Sequence, residues 1–595
     1  MKEYELGLTQ KILARFNDCE DVMCRSIKVG DRVANILFIL DITSYETISD
    51  FIIKPLQQIE TFPSDESCAE YIVREVIQGR EIKIAQDVEE VIEEVLKGKV
   101  CVLIEKEQTM ILVDAAKFLT RAITEPPTST VLQGPREGFN ESVKNNISLI
   151  RRRLSTPDLV IKNTKIGRKT KTLVSLVYID KVANKKMVKQ IYDKLNQIDI
   201  DGVLDSHYVA TYLQMYPNSI FKQVGTTEKP DIAVAKLLEG RVVVIVDGSP
   251  LALTLPFLVF ENFQSSEDYY TNHHHASFVR WVRLIGILFA ILLPGVFVAL
   301  QLYHYSVIPI KFLVTIANTT QGIPFPPLIE MLFIVLLFEL LNEASLRMPK
   351  YLGMAMSIVG ALILGDTAVS AGLISPPTVM IVALSSMTTF TVADLSNQIS
   401  ILRLGMILMG ALFGIFGIML GVVWLISYMA NLDSYGAPFL APLTPFIKQD
   451  MKDFMRVDSR IDMNLNPQSF PNENKVRSSR LNIQTKNKQM MSNTLKQKEK
   501  SKRGKAENSH QFELKVKNPN NLKMHAKNSK KTIFKTQKAP KNGNLKQKDK
   551  EQFKPNNATK MQTKKNEATD INDIKKEDFM LVENENSDLN KKENE

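Results

Sequence analysis

The stretch from Leu328 to Lys350 limits the possible folds of this chain more than any other segment. Its first half is almost wholly apolar, as in a membrane helix, yet the stretch also carries Glu330, Glu339, Asn342, Glu343 and Arg347. Ionisable side chains at membrane depth are costly, so they usually face a bundle interior or a water-filled path. The i, i+4 spacing places Glu339, Glu343 and Arg347 on one helix face.

The apolar part of this stretch is shorter than the ~20 residues that a complete span needs. Two interpretations therefore stay open. In the first, only the amino-terminal half is embedded, and the charged residues lie among lipid headgroups. In the second, the charged face forms a polar seam inside a helical bundle. Both interpretations predict a membrane protein.

The region before this helix predicts a cytosolic α/β part made of two subdomains, residues 1–125 and 126–272. Apolar runs predict strands at Arg32–Asp41 and Thr172–Ile179, and helical periodicity predicts helices at Val88–Leu96 and Asn184–Gln197. Neither subdomain contains a GxGxxG, P-loop or G-x-S-x-G motif. We therefore expect no enzymatic activity, no cofactor and no metal site.

The amino terminus lacks the apolar segment of a signal peptide, so we expect this front part to stay in the cytoplasm. All cysteines lie in the first subdomain, and no CxxC pair occurs among them: Cys19, Cys24, Cys68 and Cys101. This pattern predicts reduced structural thiols.

The segment Gly134–Leu154, which joins the subdomains, predicts a loop followed by a helix. Three consecutive arginines at its end suit a solvated helix C-terminus, and contact with another subunit is the second interpretation. We do not expect nucleic-acid binding. The candidate contact residues are Gly134, Pro135, Arg136, Glu137, Gly138, Phe139, Arg151, Arg152 and Arg153.

Residues 273–448 predict a multi-pass membrane domain of four or five helical segments. Five complete spans would place the basic C-terminal tail outside, against the preference of Lys and Arg for the cytoplasmic side. We therefore expect both termini to be cytoplasmic, with a re-entrant segment among Leu328–Leu341, Thr378–Val392 and the proline-rich residues 438–445.

The apolar run Leu404–Tyr428 predicts the strongest span. Its small residues, Gly410, Gly414, Gly417 and Gly421, occur at GxxxG spacing, which lets another backbone approach closely. Packing within the chain is the simpler interpretation, and association with another subunit is a special case of it.

Residues 449–595 form a Lys/Asn-rich tail with few large apolar side chains. Such a composition predicts disorder. The basic tail either associates loosely with anionic lipid at the inner leaflet or stays solvated.

Several longer stretches resemble one family. They are GPREGFNESVKNNISLIRRRL, IVDGSPLALTLPFLV, FQSSEDYY, ELLNEASLRMP and GALILGDTAVSAGLISP. Their content and their order across residues 30 to 450 resemble the A subunits of GerA-type spore germination receptors. The chain departs from that family in His273–His275 and in its long tail, and these parts inherit no function from the resemblance.

The resemblance implies a protein of the inner membrane of a dormant spore that responds to small nutrients and triggers ion release. It implies partners: a permease-like B subunit, a lipoprotein C subunit and further copies of the A subunit. We expect the polar face of the Leu328–Lys350 stretch to line or gate a cation path, because carboxylates favour cations. The candidate residues are Glu339, Asn342, Glu343, Arg347 and, more weakly, Asp366 and Asp394.

Three other hypotheses stay open, and a fourth has no support in the sequence. A structural ion pair between Glu343 and Arg347 would only hold the helix end. A secondary transporter would also place charges at the membrane midplane. A scaffold for the B subunit would conduct no ions, and an enzyme with a membrane anchor lacks a catalytic constellation.

Overall fold

The computed structural model describes residues 7–17, 19–62, 67–79, 81–104, 107, 109–117, 133–347, 366–459 and 463–477. These residues form two α/β units, a helical region and a C-terminal segment that returns to the second unit.

The first unit is an antiparallel sheet between two helical layers. Its strands are β1 (Val22–Val29), β2 (Arg32–Ile39), β3 (Ile82–Ala85), β4 (Lys99–Ile104) and β5 (Met110–Asp114), in the order β1-β2-β4-β5-β3. One face carries α2 (Tyr45–Ile48), π-helical Ser49–Ile53, α3 (Lys54–Gln57), α4 (Cys68–Tyr71) and π-helical Ile72–Val76. The other face carries α1 (Leu8–Ala14) and α5 (Val88–Leu96).

The second unit has the same layers. Its strands are β6 (Leu159–Ile166), β7 (Thr172–Ile179), β8 (Gly225–Thr227), β9 (Val242–Val246) and β10 (Ala252–Leu255), in the order β6-β7-β9-β10-β8. One face carries α7 (Lys185–Asn196) and α8 (Ser206–Leu213). The other carries α6 (Val143–Arg153) and α9 (Pro230–Leu238). The strands and helices predicted above within both units are confirmed, with ends shifted by a few residues.

The two units are a structural repeat. Each runs helix, two strands, helical layer, strand, helix and two strands, and the two strand orders are equivalent. Residues 96–100 (LKGKV) and 238–242 (LEGRV) occupy the same helix-to-strand turn. The central glycines of these segments, Gly98 and Gly240, both have left-handed φ angles, +97° and +91°. The predicted linker helix is therefore α6, the first element of the second repeat.

The units are joined by a buried ion pair. Nε and Nη2 of Arg151 on α6 donate to the two carboxylate oxygens of Asp21, at 2.9 and 2.8 Å. Both side chains are almost fully buried. Cys19 lies against the same guanidinium, and burial raises the pKa of this thiol to about 12. The prediction that Arg151 is solvated or contacts another subunit is therefore wrong, because its partner lies in this chain.

The helical region begins with the 31-residue helix α10 (His273–Tyr303). It continues with α11 (Ile310–Thr320), α12 (Pro327–Arg347), the short α13 (Ala368–Ser370), α14 (Pro376–Thr389) and α15 (Ser396–Ala430). Among the described helices, α10 and α15 are long and apolar enough to cross a membrane. Most of the predicted run from Leu352 to Ala371 lies outside the described residues.

Helix α15 reverses direction in its middle. Gly414 has φ +63° and ψ −150°, a conformation that is almost restricted to glycine. A Cβ at Gly417 would contact the Met409 carbonyl, and one at Gly421 would contact the Met406 sulfur. These contacts pair residues symmetrically about position 414, so residues 396–413 and 415–430 are two antiparallel arms.

The reversal frees carbonyl groups that would otherwise accept helical hydrogen bonds. The hydroxyl of Tyr303, at the end of α10, donates to the carbonyls of Ala411 and Leu412 at 2.9 and 3.2 Å. At 1.5 Å per residue, each arm is about 25 Å long. Both open ends of α15 therefore lie beside the second unit, where Ile399 and Tyr428 join one apolar cluster.

The reversal at Gly414 lies outside the three segments in which a re-entrant turn was expected. The chain turns back within the run that was predicted to be one strong span. Hydropathy does not distinguish one long apolar helix from two short ones, because the distinguishing feature is a backbone angle at Gly414.

The C-terminal segment is ordered further than composition predicted. Phe454 and Phe470 are buried, and Asn472 forms a β-bridge with Ala183. The guanidinium of Arg241 stacks on the Phe470 ring, 3.6 Å from its centroid. The predicted start of the tail at residue 449 is therefore too early for the described residues. The few aromatic side chains that anchor this segment hardly change its average composition, so composition did not indicate them.

Removing Arg151 tests the junction between the units. Arg151→Met leaves a buried carboxylate at Asp21 without its partner, which costs about 3–5 kcal/mol. We expect a clear drop in the melting temperature of the full-length chain in detergent. Arg152→Ala is the control, since the side chains of its pair with Glu137 are 31% and 27% exposed and Glu137 keeps Arg153 as a partner, so we expect a smaller effect. Equal melting temperatures for both variants would contradict this account of the junction.

The reversal in α15 predicts different costs at two glycines of the same helix. Gly414→Ala forces a Cβ into the left-handed conformation at an expected cost of about 1–3 kcal/mol. Gly405→Ala meets open space and is the matched control. We expect thermal unfolding in detergent to be lowered by the first substitution alone. A straight α15 would make the two variants equally stable.

Candidate functional site: a polar seam between the helices

The centre of the helical region holds a buried ion pair between α12 and α15. The guanidinium of Arg403 binds the Glu339 carboxylate, and only 4% of the Arg403 side chain is exposed, against 34% for Glu339. The Ser400 hydroxyl donates to the same Glu339 oxygen at 2.6 Å. The pair thus binds one face of α12 to the first arm of α15, and the Glu339 end of it remains accessible.

Arg403 also reaches the neighbouring helices. Its Nη1 lies 3.3 Å from the hydroxyls of both Ser385 and Ser386 on α14. Ser385 in turn donates to the carbonyl of Ala290 on α10 at 2.9 Å. One guanidinium therefore connects α12, α14 and α15 directly and α10 through a hydroxyl.

A second carboxylate, Glu330, lies in the first turn of α12 and is 2% exposed. The Ser375 backbone N–H and hydroxyl donate to one Glu330 oxygen at 2.7 and 2.6 Å. The Thr378 hydroxyl lies 2.8 Å from that of Ser375. These hydroxyls form a polar contact between the start of α12 and the start of α14.

We use the name polar seam for Glu330, Glu339, Ser375, Ser385, Ser400 and Arg403. The sequence predicted only Glu339 among them as a site residue. Glu330 is one of the charges within the Leu328–Lys350 stretch but is not among the predicted site residues, and Arg403 was not predicted. An arginine inside an apolar run is itself a signal, because an intramembrane charge needs a partner. No sequence spacing links Arg403 to Glu339, because the two residues are distant in sequence.

The other candidates on α12 separate from the seam. Glu343 and Arg347 form the predicted i, i+4 pair, and both side chains are more than half exposed. Asn342 is half-buried. The predicted polar face of α12 is therefore divided. Glu339 pairs with Arg403 inside the bundle, and Glu343 pairs with Arg347 in an exposed position near the helix end.

The two weaker carboxylate candidates lie elsewhere. Asp366 is exposed beside the short α13. Asp394 is exposed in the connection between α14 and α15 and faces Lys222 of the second unit. Burial lowers the pKa of Lys222, and the Asp394 charge opposes that effect. Asp394 therefore lies near the junction with the α/β units and away from the other candidates, and its place on an ion path stays a prediction.

The predicted contact glycines serve packing inside the chain. A Cβ at Gly410 would lie 2.5 Å from the Gly295 carbonyl, so α10 and α15 touch backbone to backbone. Gly414, Gly417 and Gly421 belong to the reversal described above. Their close neighbours are residues of the same chain, as the packing interpretation expects, and their contact with another subunit stays a prediction.

Residues 134–139 also lie against this chain. The Phe139 N–H donates to the Glu228 carbonyl at 2.7 Å, and its ring is buried beside α6. Glu137 pairs with both Arg152 and Arg153. Gly134 packs beneath the ring of Tyr270, next to Pro135 and half-buried Gly138. Arg136 is exposed. Most of this predicted contact surface is thus used internally.

A second charged cluster lies where α10 leaves the α/β units. Arg280 and Arg283 both bind the buried carboxylate of Asp268, at 2.9 Å. Arg280 also binds Asp453 of the C-terminal segment at 2.9 Å, and Tyr269 donates to Asp453 at 2.8 Å. Burial raises the pKa of Asp453, although Arg280 opposes the shift. This cluster fixes the start of α10 to the second unit.

The three histidines form the start of α10. Asn272 caps the helix by accepting from the His274 N–H at 3.0 Å, and the rings of His273 and His274 stack at 4.0 Å. His274 and His275 are exposed in this first helical turn.

The polar seam is a contact between oppositely charged groups on different helices. Its acidic and basic groups neutralise each other, and serine hydroxyls surround them as donors or acceptors. Separating α12 from α15 would release one carboxylate and one guanidinium into the space between the helices. A small movement can therefore change the charge along the bundle interior.

Comparison with known proteins identifies the family. The model of the Bacillus/Clostridium GerA spore germination protein family matches residues 10–469. Spore germination protein KA of Bacillus subtilis (strain 168) is 34% identical over 463 residues, 77% of this chain and 85% of the relative. Spore germination protein XA of Bacillus anthracis is 39% identical over 359 residues, 60% of this chain and 73% of the relative.

Two further comparisons concern a membrane protein and a solved structure. The uncharacterized membrane protein YfkQ of Bacillus subtilis (strain 168) is 34% identical over 438 residues, 73% of this chain and 85% of the relative. The N-terminal domain of the A subunit of the Bacillus megaterium spore germinant receptor GerK3 is 28% identical. The match covers 41% of this chain and 92% of that domain, with a TM-score of 0.33. The chain described here belongs to the GerA spore germination protein family.

Proposed function

We propose that this protein is the membrane subunit of a spore germinant receptor that triggers ion release when small nutrients are sensed. Copies of the chain form or gate an ion-conducting path, together with a permease-like B subunit and a lipoprotein C subunit. The protein is not an enzyme in this proposal. It is a multi-pass protein of the inner spore membrane, with both termini in the cytoplasm.

The buried pair between Glu339 and Arg403 is the observation that carries the gating part of the proposal. A buried ion pair is poor evidence for stability, because desolvation of the two charges offsets their attraction. Charges inside an apolar bundle are more often functional. This pair also lies at the contact of three helices, so it is sensitive to their relative movement.

The arrangement supports a two-state gate. In the closed state, Arg403 neutralises Glu339 and holds α12 against α15. In the open state, the helices part, and Glu339 faces the path, where a ring of such carboxylates from several copies attracts cations. Glu343 and Arg347, which are exposed at the helix end, would lie at the mouth of that path.

The charged cluster at the base of α10 supports coupling to the α/β units. Arg280 and Arg283 tie α10 to Asp268 and, through Arg280, to Asp453 of the C-terminal segment. A rearrangement of the second unit would therefore move α10, which packs on α15 through Gly295 and Gly410. Nutrient recognition stays with the B subunit in this proposal.

The antiparallel arms of α15 support the proposed topology. With the reversal, the chain leaves the helical region beside the second unit, where α10 began. The amino-terminal units and the basic tail are then on the same side, as the distribution of Lys and Arg requires.

A non-conducting scaffold for the B subunit is the second candidate. The observation that favours it is the close neutralisation of Glu339, since a paired carboxylate can be purely structural. A secondary transporter is the third candidate. Concentrative uptake by this chain alone would support the transporter, whereas passive, nutrient-dependent ion release would not.

Neutralising Glu339 tests the gate. Glu339→Gln leaves Arg403 buried without its counter-ion, which favours separation of α12 and α15. We expect spores with this variant to release potassium or sodium without nutrient, at several times the basal rate of the parent. The measurement is ion release by flame photometry, with the amount of protein checked by immunoblot.

Two matched variants complete the test. Glu343→Gln removes a partner from an exposed pair worth about 0–1 kcal/mol, so we expect basal release near that of the parent. Glu339→Gln combined with Arg403→Gln removes both buried charges, and we expect it to reduce the leak. Parent-like release in all variants at normal protein amounts would refute the gate and favour the scaffold.

A further inference from the structure

Helix α8 presents an apolar face that no described part of the chain covers. Leu204, Tyr208 and Tyr212 follow each other at i, i+4 spacing and are 71%, 47% and 49% exposed. Met215 and Tyr216 extend the same exposed set beyond the helix end. Tyrosine and methionine are enriched in protein interfaces. We call these five residues the α8 patch.

The α8 patch is poorly placed for a lipid surface. Helix α8 begins beside Ser249, in the β9–β10 turn, where Asp205 accepts a hydrogen bond from Ser249 at 2.6 Å. It ends beside Tyr435, which directly follows the helical region and donates to the Leu213 carbonyl at 2.6 Å. The helix axis therefore points toward the helical region, and a membrane could reach only one end of the patch.

The equivalent layer of the first repeat also exposes aromatic side chains. Tyr45 and Phe51 are 54% and 47% exposed in the layer formed by α2, α3, α4 and the adjoining π-helical turns. We call it the α2–α4 layer. This layer occupies the sheet face opposite α1. The turn after α1 contacts the second unit, because Asp21 in that turn binds Arg151. In the second unit, the layer formed by α7 and α8 likewise lies on the sheet face opposite α6, the helix that carries Arg151.

The two layers carry opposite charge. Helices α7 and α8 contain four basic residues, Lys185, Lys186, Lys189 and Lys194, and one acidic residue, Asp193, a net charge of +3. The helical residues of the α2–α4 layer contain four acidic residues, Glu46, Asp50, Glu70 and Glu75, and two basic residues, Lys54 and Arg74, a net charge of −2. Complementary charge of this kind steers association and fixes its register.

We propose that the α8 patch of one copy docks on the α2–α4 layer of a second copy of this chain. The contact is heterologous, because each copy uses one layer toward one neighbour and the other layer toward the next. Heterologous contacts of this kind close into rings when the rotation permits. The proposal rests on the proposed function only in assuming that several copies associate.

Cross-linking between two differently tagged full-length chains tests this contact. One chain carries Phe51→Cys and the other Tyr212→Cys, both in a Cys24→Ser background, since the remaining native cysteines are buried. The chains are co-expressed, and their membranes are treated with a short bismaleimide. We expect a dimer containing both tags, and a ladder of larger products from one chain that carries both substitutions.

The controls separate this contact from other arrangements. Each single-cysteine chain alone yields no dimer, since a heterologous contact does not bring position 212 to position 212. Tyr212→Cys with Lys97→Cys, which lies beside α5 on the other face of the first sheet, also yields none. A strong dimer from Tyr212→Cys alone would overturn the proposal in favour of a symmetric contact.

Two outcomes separate this proposal from the proposed function. Absence of the 51–212 product from chains that migrate as oligomers in detergent would overturn the docking contact and leave the oligomeric receptor intact. Migration as a monomer, again without the product, would overturn both the contact and the oligomeric path. Nutrient-triggered ion release from spores with the unmodified chain tests receptor function independently.

Discussion

The helical region depends on one physical requirement, that a charge buried among apolar helices must be paired. Arg403 meets it by binding Glu339 and by lying within reach of the hydroxyls of Ser385 and Ser386. The contacts of this one guanidinium bring α12, α14 and α15 to a common point, and Ser385 extends the contact to α10. A helix that moves away from this point exposes a charge, so the arrangement resists small displacements and suits a discrete switch.

The same requirement applies to the backbone. When α15 reverses at Gly414, carbonyls lose their helical partners, and Tyr303 supplies a hydroxyl to two of them. The close approach of Gly295 and Gly410 then allows α10 to lie along the first arm. Polar satisfaction and tight packing thus support each other, and both ends of α15 return to the α/β units.

Local sequence patterns predicted the individual elements well. Helix α5 and strand β7 begin and end where the periodicity placed them, and the Glu343–Arg347 pair follows from helical spacing. Long-range features were not predictable in this way. Arg151 and Asp21 are distant in sequence, as are Arg403 and Glu339, and only the fold brings each pair together. One missed feature did leave a signal, since LKGKV and LEGRV mark the same turn in both repeats.

The central claim is that the interaction between positions 339 and 403, rather than either charge alone, holds the bundle closed. Exchanging the charges, with Glu339→Arg and Arg403→Glu in one chain, keeps the pair and places it among serine hydroxyls that can donate or accept. The decisive measurement is nutrient-free ion release from spores with this exchanged chain, beside each single substitution. The account predicts release close to that of the parent for the exchanged chain and a leak for each single variant. An exchanged chain as leaky as the single variants would contradict it.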